Sequence, residues 1–370
     1  MKASNIVRRL VCVALVVAVW GSAQVAGAQP GPPGGPPSGV LSGFGLQAIL
    51  QFAGNVADFP AISTTPGLAF RYDPQTQLFE RASTALGPVF VERALTIGRG
   101  KFEFGSSYLF IDYKTLNGDD VEDFGGQAAM LPNASLDIVK FDLETHIIPL
   151  YATYGITDRW DVNLLMPLIA TSFDGRVRLK VGPLNLNFAE SSDDFGVGDL
   201  FLRTKYRLFG FNGFNVAAGS TVRFPTGEEE KLRGKGDYIL EPFLAISQEY
   251  DRFDFHLAGG VQVNFDDSDR SRASYAVGVA ANLIEQLALT ADLIGNSSLK
   301  TDRVVGEIPG LGPTGSQRVT TPLNTDIIDV AVGLKGNIGR VTGYVTFFVP
   351  ITNDGLRADF IPAGGFQLSF

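Results

Sequence analysis

Twelve segments of this chain alternate apolar and polar residues with a period of two, and nothing else in the sequence restricts the fold as strongly. Period two sends successive side chains to opposite faces of a strand, so each segment reads as a strand with one oily and one polar face. Leu200, Leu202, Thr204, Tyr206 and Leu208 share one parity, against Asp199, Arg203, Lys205 and Arg207 on the other. Phe253, Phe255, Leu257, Val261, Val263 and Phe265 oppose Asp254, His256, Gln262 and Asn264 in the same way. Ile328, Val330, Val332 and Leu334 oppose Asp329 and Lys335, and Val139, Phe141, Leu143, Thr145 and Ile147 oppose Lys140, Asp142, Glu144 and His146. The predicted strands are 101–113, 136–154, 160–171, 198–209, 214–225, 238–250, 253–265, 273–284, 286–295, 327–338, 341–350 and 361–370.

Two architectures bury a dozen such faces: a soluble sandwich, or a transmembrane antiparallel β-barrel whose apolar faces meet lipid. The connections alternate between long and short, which puts short turns on one rim and long loops on the other, as in membrane barrels of even strand number. Aromatic residues crowd the short-turn rim, with Tyr206, Phe209, Phe211 and Phe214 at one turn, Tyr154 and Trp160 at another, and Tyr250 and Phe253 at a third. The apolar parity carries no charge in mid-strand, where a basic residue facing lipid costs about 2–4 kcal/mol. Phe366, Leu368 and Phe370 close the sequence on one parity and resemble the terminal strand of bacterial outer-membrane barrels, whose final aromatic is part of the assembly signal. The reading is therefore an all-β membrane barrel of twelve strands. Residues 176–188 alternate around Gly182-Pro183 in arms too short to span, so they are expected as a hairpin above the rim; were they to span, the count would be fourteen.

Ahead of the barrel lie two other regions. Lys2, Arg8 and Arg9, the apolar run Leu10–Trp20 and the small residues Ala26-Gly27-Ala28 read as a signal peptide over 1–28. The stretch 29–98 begins as a Pro/Gly tether and continues through apolar patches such as Phe44–Phe52, so it is expected as a plug in the barrel or a periplasmic arm; the barrel itself is assigned to 99–370. The only cysteine, Cys12, falls within the signal segment, which removes disulfides and thiol chemistry from the rest. Lys+Arg of 30 against Asp+Glu of 39 disfavours nucleic acid as a partner.

Three short stretches carry a resemblance: Tyr154-Gly155-Ile156-Thr157-Asp158-Arg159-Trp160-Asp161-Val162; Gly196-Val197-Gly198-Asp199-Leu200 leading to Arg203, Lys205 and Tyr206; and Phe224-Pro225-Thr226-Gly227. They resemble the meta-pathway phenol-degradation family of outer-membrane transporters, over a region running from about Arg99 to the C-terminus. The resemblance implies a barrel and a role in uptake of small aromatic compounds. It carries over no binding residues.

Catalytic and metal chemistry find little support. His146 and His256 sit in no metal-binding spacing, no phosphate-cradling loop exists, and Glu144 beside His146 has no partnered nucleophile. No catalytic, cofactor or metal site is expected. What remains is the lumen, with Lys140, Asp142, Glu144, His146, Arg203, Lys205, Arg207, Arg223, Glu241 and His256 expected to line it. The function expected is a channel in the bacterial outer membrane that passively admits small hydrophobic or aromatic molecules. Its partners would be membrane lipid, the small-molecule solute and, through Phe370, the barrel-assembly machinery. The alternative is a structural or surface-interaction barrel closed to solutes.

Overall fold

The structure, a computed structural model, describes residues 70–73, 78–81, 86–116, 118–121, 125–127, 134–181, 183–250, 252–300, 302–309, 316–323 and 326–370. The signal segment, the Pro/Gly tether and the Phe44–Phe52 patch lie outside the described residues.

Twelve strands close into one antiparallel barrel: β1 Phe102–Leu116, β2 Ala134–Thr157, β3 Trp160–Val181, β4 Leu200–Phe211, β5 Phe214–Phe224, β6 Ile239–Tyr250, β7 Phe253–Asn264, β8 Arg272–Ile284, β9 Leu287–Ser298, β10 Ile327–Ile338, β11 Val341–Pro350 and β12 Ile361–Ser369. Each pairs with its sequence neighbour. Closure comes from β12 on β1, with Phe366 opposite Ser106 and Ser369 opposite Glu103. Closure pairs every strand edge, as a structure immersed in lipid requires. Five connections are turns of two residues and all fall on one rim, whereas the connections on the other rim run from 7 to 28 residues. Local chemistry sets the tight turns. Asn212 (φ 48) and Gly213 (φ 79) occupy the two positive-φ positions that a two-residue hairpin turn demands.

The outer surface is a belt of exposed apolar side chains, among them Leu257 at 49%, Val345 at 55% and Phe347 at 51% exposure. Water would not tolerate that area on a monomer, but a bilayer requires it. Exposed Tyr154, Trp160, Tyr206, Phe209, Tyr250 and Phe253 ring the short-turn end of the belt. The belt sets a stability test. Leu257→Arg is expected to destabilise the barrel by about 2–4 kcal/mol, read as a denaturant midpoint in vesicles, with Leu257→Phe near wild type.

Above the belt, β3 leaves β4 after Leu165 and pairs instead with Leu184–Val197, Leu168 facing Val197 and Val181 facing Leu184. This is the hairpin expected above the rim, and the spanning count stays at twelve. Asp302–Pro309 and Ser316–Leu323 form a second, separate hairpin.

On β2 the structure corrects the sequence reading. Phe141, Leu143, Thr145 and Ile147 are buried inside, while Lys140, Asp142, Glu144 and His146 point outward. β2 has 24 residues, far more than the ~9–11 that span a bilayer. Only its short-turn half, with Ile148, Leu150, Ala152 and Tyr154 facing out, lies in lipid. Beyond the bilayer an outward charge is hydrated, and the apolar parity is free to face the interior.

Candidate functional site

The chain reaches β1 from inside the barrel. Every residue from Leu86 to Gly98 is buried. This strap has no regular hydrogen-bonded ladder, so inward side chains of the wall satisfy much of its backbone. The ammonium of Lys335 donates to the carbonyls of Leu86 (2.6 Å), Gly87 and Pro88 (both 3.2 Å). Asp292 Oδ2 accepts from the amides of Val89 (3.3 Å) and Phe90 (3.2 Å). Ala94 N donates to Ser247 Oγ at 2.9 Å, and Ile97 N to Asp161 Oδ2 at 3.0 Å. Ser247 Oγ is also hydrogen-bonded to His256 Nδ1 at 2.8 Å.

Two charges on the strap complete the attachment. Glu92 accepts from Lys205 Nζ at 2.7 Å and Arg203 Nη1 at 3.2 Å, and Lys205 also donates to the carbonyl of Arg93. Arg93 is wholly buried, with its guanidinium 3.8 Å from Glu249. Between these ties Val91 and Ala94 pack on Ala217, Ala245, Ala258 and Ala276. Alanine on those inward positions leaves room for a main chain to cross the lumen. Phe90 adds edge-on contacts to Phe348 and Tyr344, at 4.5 and 6.1 Å between ring centres.

At the short-turn rim the strap passes into β1 through Gly98 and Gly100, with φ of +96 and +70. Gly100 N donates to Gly155 O at 2.7 Å, Thr96 Oγ1 to Asp158 O at 2.8 Å and Arg99 N to Asp158 Oδ1 at 3.3 Å. A Cβ on Gly155 would collide with the carbonyl of Gly98. Backbone meets backbone there, so Gly155→Ala is expected to cut the yield of folded barrel several-fold, measured by the heat-modifiable gel shift, whereas Gly343→Ala, whose Cβ would meet only Gly365 O at an ordinary 3.8 Å, should fold normally.

Over the strap lies a pocket of about 1250 Å3, counting its open mouth. Phe90 and Glu92 of the strap line it, together with Phe201, Arg203, Arg223, Glu241, Phe243 and residues of β7 to β10. Arg223 Nε donates to Asp199 Oδ2 at 2.7 Å, and its guanidinium lies 5.2 Å from the Phe201 ring centre. Glu241 accepts from Ser274 Oγ. At the long-loop side, Asp199 also accepts from Gly227 N (3.0 Å) and Lys235 N (2.9 Å), while Thr226 Oγ1 donates to Gly198 O and accepts from Leu200 N. These bonds hold the connection 225–238 on the end of β4. Arg233 braces it, bound to Asp194 at 2.8 Å and Glu228 at 2.6 Å. A hydrogen bond from Lys231, and then one from Arg233, hold the Glu228 carboxyl below its ordinary 4.5. Because the folded value is depressed, its contribution is complete above 4.5 and is lost as pH falls through the lower value. Protection factors of residues 227–236, taken against the intrinsic exchange rate at each pH, should therefore fall on acidification into that range, and constant protection would count against this bracing.

The structure thus separates the expected lumen residues into two groups. Arg203, Lys205, Arg207, Arg223, Glu241 and His256 lie on inward faces, Arg207 donating to Asp158 O at the short-turn rim. Lys140, Asp142, Glu144 and His146 lie outside, where Lys140 binds Asp174 at 2.6 Å and Tyr108 OH meets His146 Nδ1 at 2.7 Å. Carboxylate oxygens of Asp112, Asp142 and Glu144 lie within 4.8 Å of one another on that outer surface, with Lys114 2.8 Å from Asp112. Sequence reasoning missed Glu92, Asp161, Asp199 and Ser247. The adjacent charges Glu92-Arg93 within the apolar run Leu86–Ile97 were the signal available for the first.

The three sequence stretches now have places: one clamps the strap where it leaves the barrel, and the other two join across the mouth. The model of the family described as "Putative MetA-pathway of phenol degradation" matches residues 133–310, which contain all three. Over residues 133–310 the chain is similar to this family. The match falls short of the region from Arg99 to the C-terminus over which the resemblance was drawn. No curated protein matches the chain. Among solved structures, an outer membrane channel from Pseudomonas putida F1 superposes with a TM-score of 0.51 at 15% identity, covering 75% of this chain and 98% of that one. The CymD monoaromatic hydrocarbon channel gives 0.38 at 10% identity, over 74% of this chain and 89% of its own. By fold and by surface, the chain is an outer-membrane β-barrel.

Proposed function

We propose that the protein is an outer-membrane channel for passive uptake of small hydrophobic or aromatic molecules, held shut by the strap. The observation that carries this is the pocket of mixed aromatic, aliphatic and polar lining whose floor is the strap itself. A solute entering from the long-loop side meets Phe90, Phe201 and Phe243 beside polar groups, the composition that binds small organic molecules. The strap below holds on through discrete hydrogen bonds and ion pairs, which can exchange for water. In this reading the region 29–98 acts as the plug and 99–370 as the pore. The pore works without a chemical step, and Phe370 addresses the chain to the assembly machinery. The family description and the channel from Pseudomonas putida F1 support it.

Single-channel recording of the refolded chain in planar bilayers tests the proposal. Discrete, brief openings on a silent baseline are expected. Unbroken silence from a barrel shown to be folded would favour the second reading, a sealed structural barrel, to which complete burial of Leu86–Gly98 also lends weight.

A further inference from the structure

We infer that the solute that opens this channel is an aromatic carboxylate, and that it does so by taking Arg203 from Glu92. The inference rests on the channel reading above and narrows its solute.

Glu92 and Arg203 both line the pocket, so whatever fills it touches the tie that holds the strap. The ligand already on Arg203 is a carboxylate carried by the chain. A carboxylate carried by a solute has the same chemistry and reaches the same guanidinium from the open side. Arg203 spends Nε on Thr221 Oγ1 at 3.0 Å and Nη1 on Glu92 at 3.2 Å. Guanidinium presents its donors in a fixed planar fork that matches a carboxylate, so a solute carboxylate competes with the resident one on equal chemical terms.

The approach is marked by charge. In the β4–β5 register Arg223 faces Phe201 and Arg203 faces Thr221, so the two guanidiniums descend the wall from the mouth, with Lys205 next below on β4. Glu241 and Asp329 line other parts of the same pocket and repel an anion from there. A ring attached to the carboxylate would lie among Phe90, Phe201, Phe243, Ala258, Ala276 and Ile294. Once Arg203 is taken, Glu92 keeps only Lys205 among these two cations, and the strap loses a charge-assisted bond.

Single-channel recording of the full chain decides it, with benzoate, benzyl alcohol or acetate added on the long-loop side. Benzoate is expected to raise open probability tenfold or more, and the neutral ring and the ringless acid less than twofold. Arg203→Lys keeps the charge but loses the fork, and should shift the benzoate response to at least tenfold higher concentration. Glu92→Gln should open the channel without benzoate and flatten its response. Equal responses to benzoate and benzyl alcohol would overturn the inference and leave the channel reading standing, as would acetate matching benzoate. Absence of conductance under every condition, from folded barrels, would overturn the channel reading itself.

Discussion

Glu92→Ala is expected to leave the channel open for most of the recording. With the strap docked, Glu92 balances two cations, Arg203 and Lys205, whose side chains are 9% and 0% exposed. Removing the carboxylate takes from both charges the acid they share in a closed lumen, and breaking one side of a buried ion pair costs about 3–5 kcal/mol. With the strap displaced, water enters and hydrates the cations, so the cost falls on the closed state. At about 1.4 kcal/mol per tenfold, the closed-to-open ratio should drop by a factor of roughly 10² to 10³. Glu92→Gln keeps the shape and hydrogen-bonding capacity and should give a smaller effect. Conductance of Glu92→Ala indistinguishable from the parent would show that the strap is held by its backbone contacts alone, or that it does not gate.

The second large effect is expected at Asp199. Its carboxylate is fully buried and receives Arg223 Nε and the amides of Gly227 and Lys235. Asp199→Ala takes the shared acceptor from all three donors, one of them a buried guanidinium, at a cost again of about 3–5 kcal/mol. That cost is local, because the twelve-stranded ladder does not pass through these bonds. Hydrogen exchange in 225–238 should accelerate by a factor of roughly 10² while the strands keep their protection. Asp199→Asn retains an acceptor and should fall between. Uniform loss of protection around the barrel would instead mean that Asp199 supports the wall, and uniform retention that the connection is held by Arg233 alone.

The barrel was legible because lipid makes parity a strict code: a strand that spans must keep charge off one face for its whole membrane depth. The same code failed on β2. Past the bilayer neither face is bound by it, so Lys140, Asp142, Glu144 and His146 looked like a lumen column and are a hydrated outer surface. Arg203, Lys205 and Arg223 were legible as an inward basic row, but not their partners. Glu92 lies 111 residues from Arg203, and Leu86 lies 249 from Lys335. A segment without period, satisfied by side chains that far away, leaves almost no local trace. The turns Asn212-Gly213 and Asp158-Arg159 show the contrast, since Phe211 pairs with Phe214 and Thr157 with Trp160 across them and the pattern announces both.

The strap continues directly into β1 through Gly98 and Gly100, so in the proposed channel the stopper would be leashed to its own pore. Each pore would then have one stopper, never diluted into the periplasm. Re-docking is a first-order event governed by an effective concentration that for short leashes is on the order of millimolar. A free peptide copying Leu86–Ile97 at micromolar levels would compete poorly with it. Openings should end at a rate independent of how much protein the membrane holds. Passage would come in short bursts, each timed by a leash rather than by the solute gradient.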